Sequence, residues 1–190
     1  GQSAWQEARL RRAEIARDRG EVEVAVTWLQ DLLERTEDPL RRLVQAEYAR
    51  ALADARHLED ASIQIEELQE LSLWREDLGL QAEVERRIAY VCFYLGRSLE
   101  QRRAQERALA HAEACGNLRR IAWHLQGCAE AAYVLDDWEQ AIEMFGRAIT
   151  MHTELGNHYS LGICLGNLGA ALHRLGRLEE AELEYSRAIE

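Results

Sequence analysis

Sliding the sequence against itself by 40 residues brings its second half into register, and this self-similarity limits the possible folds more than any single motif. Leu95-Gly96-Arg97 falls on Leu135-Asp136-Asp137 and again on Leu175-Gly176-Arg177. Ala141 falls on Ala181, Phe145 on Tyr185, Ala148 on Ala188 and Ile149 on Ile189, and Ala108 and Leu109 extend the last two columns one period upstream. A further step back places Ala49, Leu52, Leu58, Ala61 and Ile65 under Ala89, Cys92, Ser98, Gln101 and Gln105. Gly20, Ala25, Leu29 and Leu32 join with a 36-residue step. Five units result, at about 3–38, 39–77, 78–116, 117–156 and 157–190, in one repeat domain spanning 1–190.

Each unit reads as two amphipathic helices joined by a tight turn. In the fourth unit Leu118, Ile121, Ala122, Leu125, Ala129 and Ala132 recur at helical spacing, predicting a helix A over 118–135. Trp138, Ala141, Ile142, Phe145, Ala148 and Ile149 predict a helix B over 138–155 in the same way. Turns are expected within units at Arg19-Gly20, Arg56-His57, Gly96-Arg97, Asp136-Asp137 and Gly176-Arg177. Between units they are expected at Asp38-Pro39, Asp77-Leu78-Gly79, Gly116-Asn117 and Gly156-Asn157, where the Asn or Asp can cap the next helix. Twelve glycines and one proline are too few punctuators for a many-stranded chain.

Small residues recur at one point of every helix A (Ala13, Ala49, Ala89, Ala129, Gly169) and of helix B (Ala25, Ala61, Ala141, Ala181), where only Gln101 breaks the column. They let antiparallel helices approach closely, and large neighbours such as Phe145 and Tyr185 fill the space toward the next unit. The run Leu168-Gly169, Leu172, Gly176, Ala181, Tyr185, Ala188 resembles the tetratricopeptide repeat signature. The 40-residue period and Gly166-Asn167-Leu168-Gly169 resemble its elongated subclass, found in spindle-orientation adaptors, kinesin light chains and the sensor regions of bacterial regulators. The resemblance implies an all-α fold, a right-handed superhelical array of antiparallel helix pairs, and a binding scaffold rather than an enzyme. Gly1 stands where an initiator methionine would, and helix B of the last unit is expected to run past Glu190, so the sequence reads as a piece of a longer protein. Leu183 and Ile189 would then form an apolar stripe open to self-association.

All 23 basic residues are arginine, which excludes Schiff-base lysines, P-loop lysines and lysine general bases. His111-Ala112-Glu113 matches half of a zinc deaminase signature, but no PCxxC accompanies it. His111 and Cys115 share a helix face without a third ligand, so no metal is expected, and no cofactor. The sequence presents no nucleophile, base and oxyanion set, which leaves catalysis as a minor alternative. Cys92, Cys115, Cys128 and Cys164 lie in helical patterns and read as reduced thiols of a cytoplasmic protein, and no apolar run is long enough to span a membrane.

The net charge is -11, which repels nucleic acid, yet residues 81–120 carry eight arginines against five acids. That basic block suits an acidic peptide or carboxylate. The resemblance implies a concave surface lined by the A helices. Carried onto this sequence, its contact positions are Arg50, Arg86, Arg87, Tyr90, Phe93, Trp123, Gln126, Glu130, Tyr133, Asn167, Ala170 and His173. The family's backbone-gripping asparagine occurs only at Asn167, its column being Arg11, Glu47, Arg87 and Gly127 elsewhere. Trp123, Tyr90 and Tyr133 either meet a partner or pack between units. The function expected is a protein- or peptide-binding adaptor. The alternative is a sensor segment of a larger bacterial signalling protein or transcription regulator.

Overall fold

The computed structural model describes residues 2–70 and 77–189, the side chains of residues 2, 3 and 70 excepted. Among the described residues ten α-helices follow one another: α1 (Gln2–Asp18), α2 (Val22–Glu34), α3 (Leu40–Asp54), α4 (Leu58–Glu70), α5 (Leu78–Tyr94), α6 (Ser98–Ala114), α7 (Leu118–Val134), α8 (Trp138–Glu154), α9 (His158–Arg174) and α10 (Leu178–Ala188). No strand occurs among the described residues. None of the described helices is long and apolar enough to cross a membrane. The helices form two compact units, Gly1–Arg97 and Ser98–Glu190. In the first, α1 packs on α2, α2 on α3, and α3 on both α4 and α5. In the second, each helix from α6 to α10 packs on the next, and α7 also touches α9.

The turns follow the local chemistry read from the sequence. A right-handed helix ends most cheaply on a residue in the left-handed region, which glycine enters without a Cβ penalty. Gly176 takes φ 76°, and its counterpart one period earlier is Asp136 at φ 59°. Aspartate is among the few L-residues that tolerate that conformation. The less usual Arg56 does the same at φ 67°. Helix starts divide into two kinds. Asp77, Asn117 and Asn157 cap α5, α7 and α9 by accepting from the backbone N–H of Leu80, Arg120 and Ser160. Asp137, which could have done the same, makes no such bond to α8.

Both small-residue columns lie on the packed seams. Ala13, Ala49, Ala89 and Ala129 are buried on the A helices, as are Ala25, Ala61, Ala141 and Ala181 on the B helices. Gln101 is buried at the break in the second column. In the second unit Leu125, Cys128, Phe145, Ile149, Leu165 and Leu172 surround these small positions as one core. Two expectations change. Leu118 is exposed because it is the first residue of α7, one turn ahead of the stripe that begins at Ala122. Tyr185, expected to fill space toward the next unit, is 42% exposed where its period mate Phe145 is 1% exposed; Leu183 and Ile189 are exposed, as expected.

The seam gives two glycines opposite expectations. A Cβ on Gly146, inside α8, would meet nothing within 4 Å, whereas one on Gly169 would lie 2.8 Å from the Tyr185 ring. Gly146→Ala should therefore stabilise the chain by about 0.5–1 kcal/mol through helix propensity. Gly169→Ala must displace the ring, which cancels that gain and costs roughly 1 kcal/mol. Urea unfolding of the two variants measures the contrast.

Candidate functional site

In the first unit the expected contact residues lie on α3 and α5, and their chemistry is mostly internal. Arg87 is 4% exposed and Glu47 is fully buried. Arg87 Nε donates to Glu47 Oε2 at 2.5 Å, its Nη1 to Glu83 Oε2 at 2.8 Å and its Nη2 to Glu14 Oε1 at 2.8 Å. Arg17 Nε reaches the other Glu47 oxygen at 2.9 Å. Burial alone would raise the Glu47 carboxyl, but Arg87 and Arg17 outweigh it and hold it below the usual carboxylate range. Burial likewise opposes ionisation of Glu83, and Arg86 with Arg87 brings it down to about 2. Arg87, expected at the contact surface, is instead the centre of a buried ion network. The reason is geometric: Glu47 and Arg87 occupy the same place in successive A helices, and α3 packs directly on α5.

Arg50, Arg86 and Tyr90 lie around this network and are partly exposed. The Arg50 guanidinium stacks over the Tyr90 ring at 4.4 Å, and its buried Nε has no hydrogen-bond partner among the described residues. Tyr90 donates its hydroxyl to Asp54 at 2.7 Å and its ring meets Tyr94 at 5.0 Å. Burial, then the hydrogen bonds to Tyr94 and Asp54, raise the Tyr90 phenol. Arg86 pairs with Glu83 at 3.1 Å, yet burial and the charge of Arg87 leave its guanidinium less readily protonated than usual. Phe93 is 55% exposed.

The second unit is different. Trp123, Gln126, Glu130 and Tyr133 are spaced three or four residues apart, so they share one face of α7. Trp123 is 45% exposed, and Gln126, Glu130 and Tyr133 are partly buried. Asn167 and Ala170 on the neighbouring α9 are also partly buried, and His173 is exposed. Gln126 Nε2 donates to Glu130 Oε1 at 2.9 Å. Burial raises the Glu130 carboxyl, and Gln126 only partly offsets it. The Cys164 thiol on α9 is pushed up to about 12, by burial first and by the charge of Glu130 second. Here the column that holds Glu47 and Arg87 in the first unit holds Gly127 and Asn167, both neutral.

Sequence reasoning did not find the network partners Glu14, Arg17, Asp54 and Glu83. A signal for its centre was present, because Glu47 and Arg87 are opposite charges one 40-residue period apart. The described residues contain no group of three metal-ligating side chains.

Residues 129–190 match the tetratricopeptide repeat family model. That stretch is therefore tetratricopeptide repeat, and the described chain has the tetratricopeptide-repeat fold. Among solved structures, it is similar to the STAND signal-transduction ATPase with a tetratricopeptide repeat sensor from Pyrococcus horikoshii. The TM-score is 0.85 at 17% identity, over 96% of this chain and 28% of that one. It is also similar to the TPR-like repeats of a putative kinesin light chain from Podosopora anserina, with TM-score 0.74 and 18% identity over 96% and 92% of the two chains. PlcR of Bacillus thuringiensis, solved with the peptide PapR7 and DNA, gives TM-score 0.74 at 15% identity over 97% of this chain and 69% of that one. No curated protein matches the chain in sequence.

The ion network makes the first unit acid-sensitive. Glu47 and Glu83 have folded-state pKa values below the ordinary value of 4.5, so their stabilisation is complete above about pH 4.5 and is lost as pH falls toward 2. Thermal melts across that range should show the decline. Arg87→Met, which leaves Glu47 and Glu83 without their shared partner, should cost about 3–5 kcal/mol at pH 7. The double variant Glu47→Leu/Arg87→Met should lose less than either single one, because it removes the stranded charge.

Proposed function

We propose that the chain is a non-catalytic scaffold that binds a protein or peptide on the A-helix faces of its repeats. The observation that carries this reading is Trp123, 45% exposed and in line with Gln126, Glu130 and Tyr133 on α7, with Asn167 and His173 on the adjoining α9. An exposed indole on an ordered helix, ringed by polar side chains, is the composition from which interaction hot spots are built. The likeness to PlcR, solved with a bound peptide, supports the same use of the fold.

On the first unit, the reading assigns an acidic group of the partner to Arg50 and Arg86. Arg50 Nε lacks a hydrogen-bond partner, and Arg86 is crowded by the charges of Arg87 and Arg50. A carboxylate at their exposed ends would offset the charge of both. Arg87 serves behind them, already neutralised. The four free cysteines support a reducing, cytoplasmic setting. A second reading, a sensor segment whose partner is another part of the same polypeptide, draws support from the likeness to the STAND sensor and uses the same faces.

Peptides selected from a display library on the purified chain, then titrated by fluorescence anisotropy, test the scaffold reading. Trp123→Ala should weaken binding by over ~1 kcal/mol while leaving the melting temperature nearly unchanged. A variant that binds normally, or one that fails to fold, would assign the indole to packing. Arg50→Gln and Arg86→Gln should weaken acidic peptides selectively, and added salt should weaken them further.

A further inference from the structure

We propose that the α7–α9 face of the second unit takes a cationic side chain of its partner, an arginine or lysine of a bound peptide, on the Glu130 carboxylate. This rests on the peptide-binding reading and adds the charge of the residue recognised there. Glu130 has one polar partner among the described residues, the neutral Gln126 amide. Its burial is uncompensated: desolvation raises its pKa, and no positive group acts to lower it. The first unit shows what a compensated carboxylate looks like in this fold, since Glu47 lies between Arg17 and Arg87.

The second unit has nine arginines, and none of them acts on Glu130. Residues 121–160 contain one arginine, Arg147, and six acids. Arg147, on α8, reaches toward Glu113 at 3.8 Å. Arg174, at the end of α9, is held by the Tyr133 hydroxyl and feels Asp136. Arg102, on α6, pairs with Glu106 and Asp137. A half-buried carboxylate left without a cation weakens the free fold, and side chains that break a local stability rule without compensation are concentrated where a ligand supplies what is missing.

The neighbours of Glu130 suit the same guest. On the same face of α7, Trp123 lies two turns before Glu130 and Tyr133 one turn after it, and Trp123 keeps 45% of its surface open. A guanidinium or ammonium group is attracted to an aromatic face as well as to a carboxylate. The Gln126 carbonyl remains as a further acceptor, because its amide nitrogen is the atom used toward Glu130. An acidic side chain would meet repulsion from Glu130 at this place.

A random dodecapeptide display library panned in parallel on the wild-type chain and on Glu130→Gln tests the proposal. Peptides enriched on the wild type should share an arginine or lysine, and synthetic copies should lose roughly tenfold in affinity when that residue becomes alanine. Glu130→Gln should cause the same loss, and combining the two changes should add little. The variant should melt at or above the wild-type temperature at pH 7, because it removes an uncompensated buried charge. Trp123-dependent peptides that bind wild type and Glu130→Gln equally would overturn the proposal and leave the peptide reading intact. A fall in melting temperature for Glu130→Gln would make the carboxylate structural, which also overturns it. Absence of any Trp123-dependent peptide would remove both.

Discussion

The close approach of paired helices at alanine and glycine sets the rest of this structure. Ala129 on α7 and Ala141 on α8 are both without solvent exposure, and the equivalent small residues on the other hairpins are buried in the same way. Backbones held this near leave no freedom to shift, so larger side chains must fit the spaces beside the seam. Phe145 is buried in one such space. Gly127 meets a softer limit: a Cβ there would lie 2.6 Å from the amide end of the Gln105 side chain, a flexible group that can swing aside. Stability in such an array comes from each helix packing on the next, because one amphipathic pair cannot bury both of its faces.

Electrostatics separates two units that share this geometry. In the first, the column beside the seam carries Glu47 and Arg87, and their pairing ties α3 to α5. A buried ion pair is little better than well-packed apolar residues of the same volume, but half of one is costly. The network therefore holds its members in place more than it adds to the net stability. In the second unit the same column carries Gly127 and Asn167, which impose no such tie on α7 and α9. Side chains near it, above all Glu130, are left with neutral neighbours.

Most of the architecture was legible in the sequence because it is local and periodic. Helix α8 was expected over 138–155 and spans Trp138–Glu154, since apolar spacing and the flanking turns specify it together. The left-handed stops at Asp136 and Arg56 were also legible, through their alignment with glycines in other units. Leu118 was misplaced because helical spacing cannot tell the first turn of a helix from its packed middle. The role of Arg87 was misread for a deeper reason. The family resemblance carries it onto the concave surface, and only the juxtaposition of α3 with α5, together with Glu14 far upstream on α1, turns it inward. Glu130 was legible as a face residue but not as an uncompensated one, because that depends on where Arg102, Arg147 and Arg174 find other partners.

The separation of seam from face lets one repeat carry different chemistry in different units. Residues 129 and 130 are adjacent in the chain but lie about 100° apart around the helix. Ala129 can therefore be fixed by packing against α8 while Glu130 answers to Gln126 on its own helix and to whatever lies on that face. A charge at position 130 costs the free protein local stability without changing the backbone that the alanine seam defines. The same change at position 129 would push two helices apart and disturb every contact downstream of it. Variation is thus cheap on the face and expensive on the seam. This explains how two units built on one column of small residues come to present a neutralised arginine centre in one and an unpaired carboxylate beside an open indole in the other.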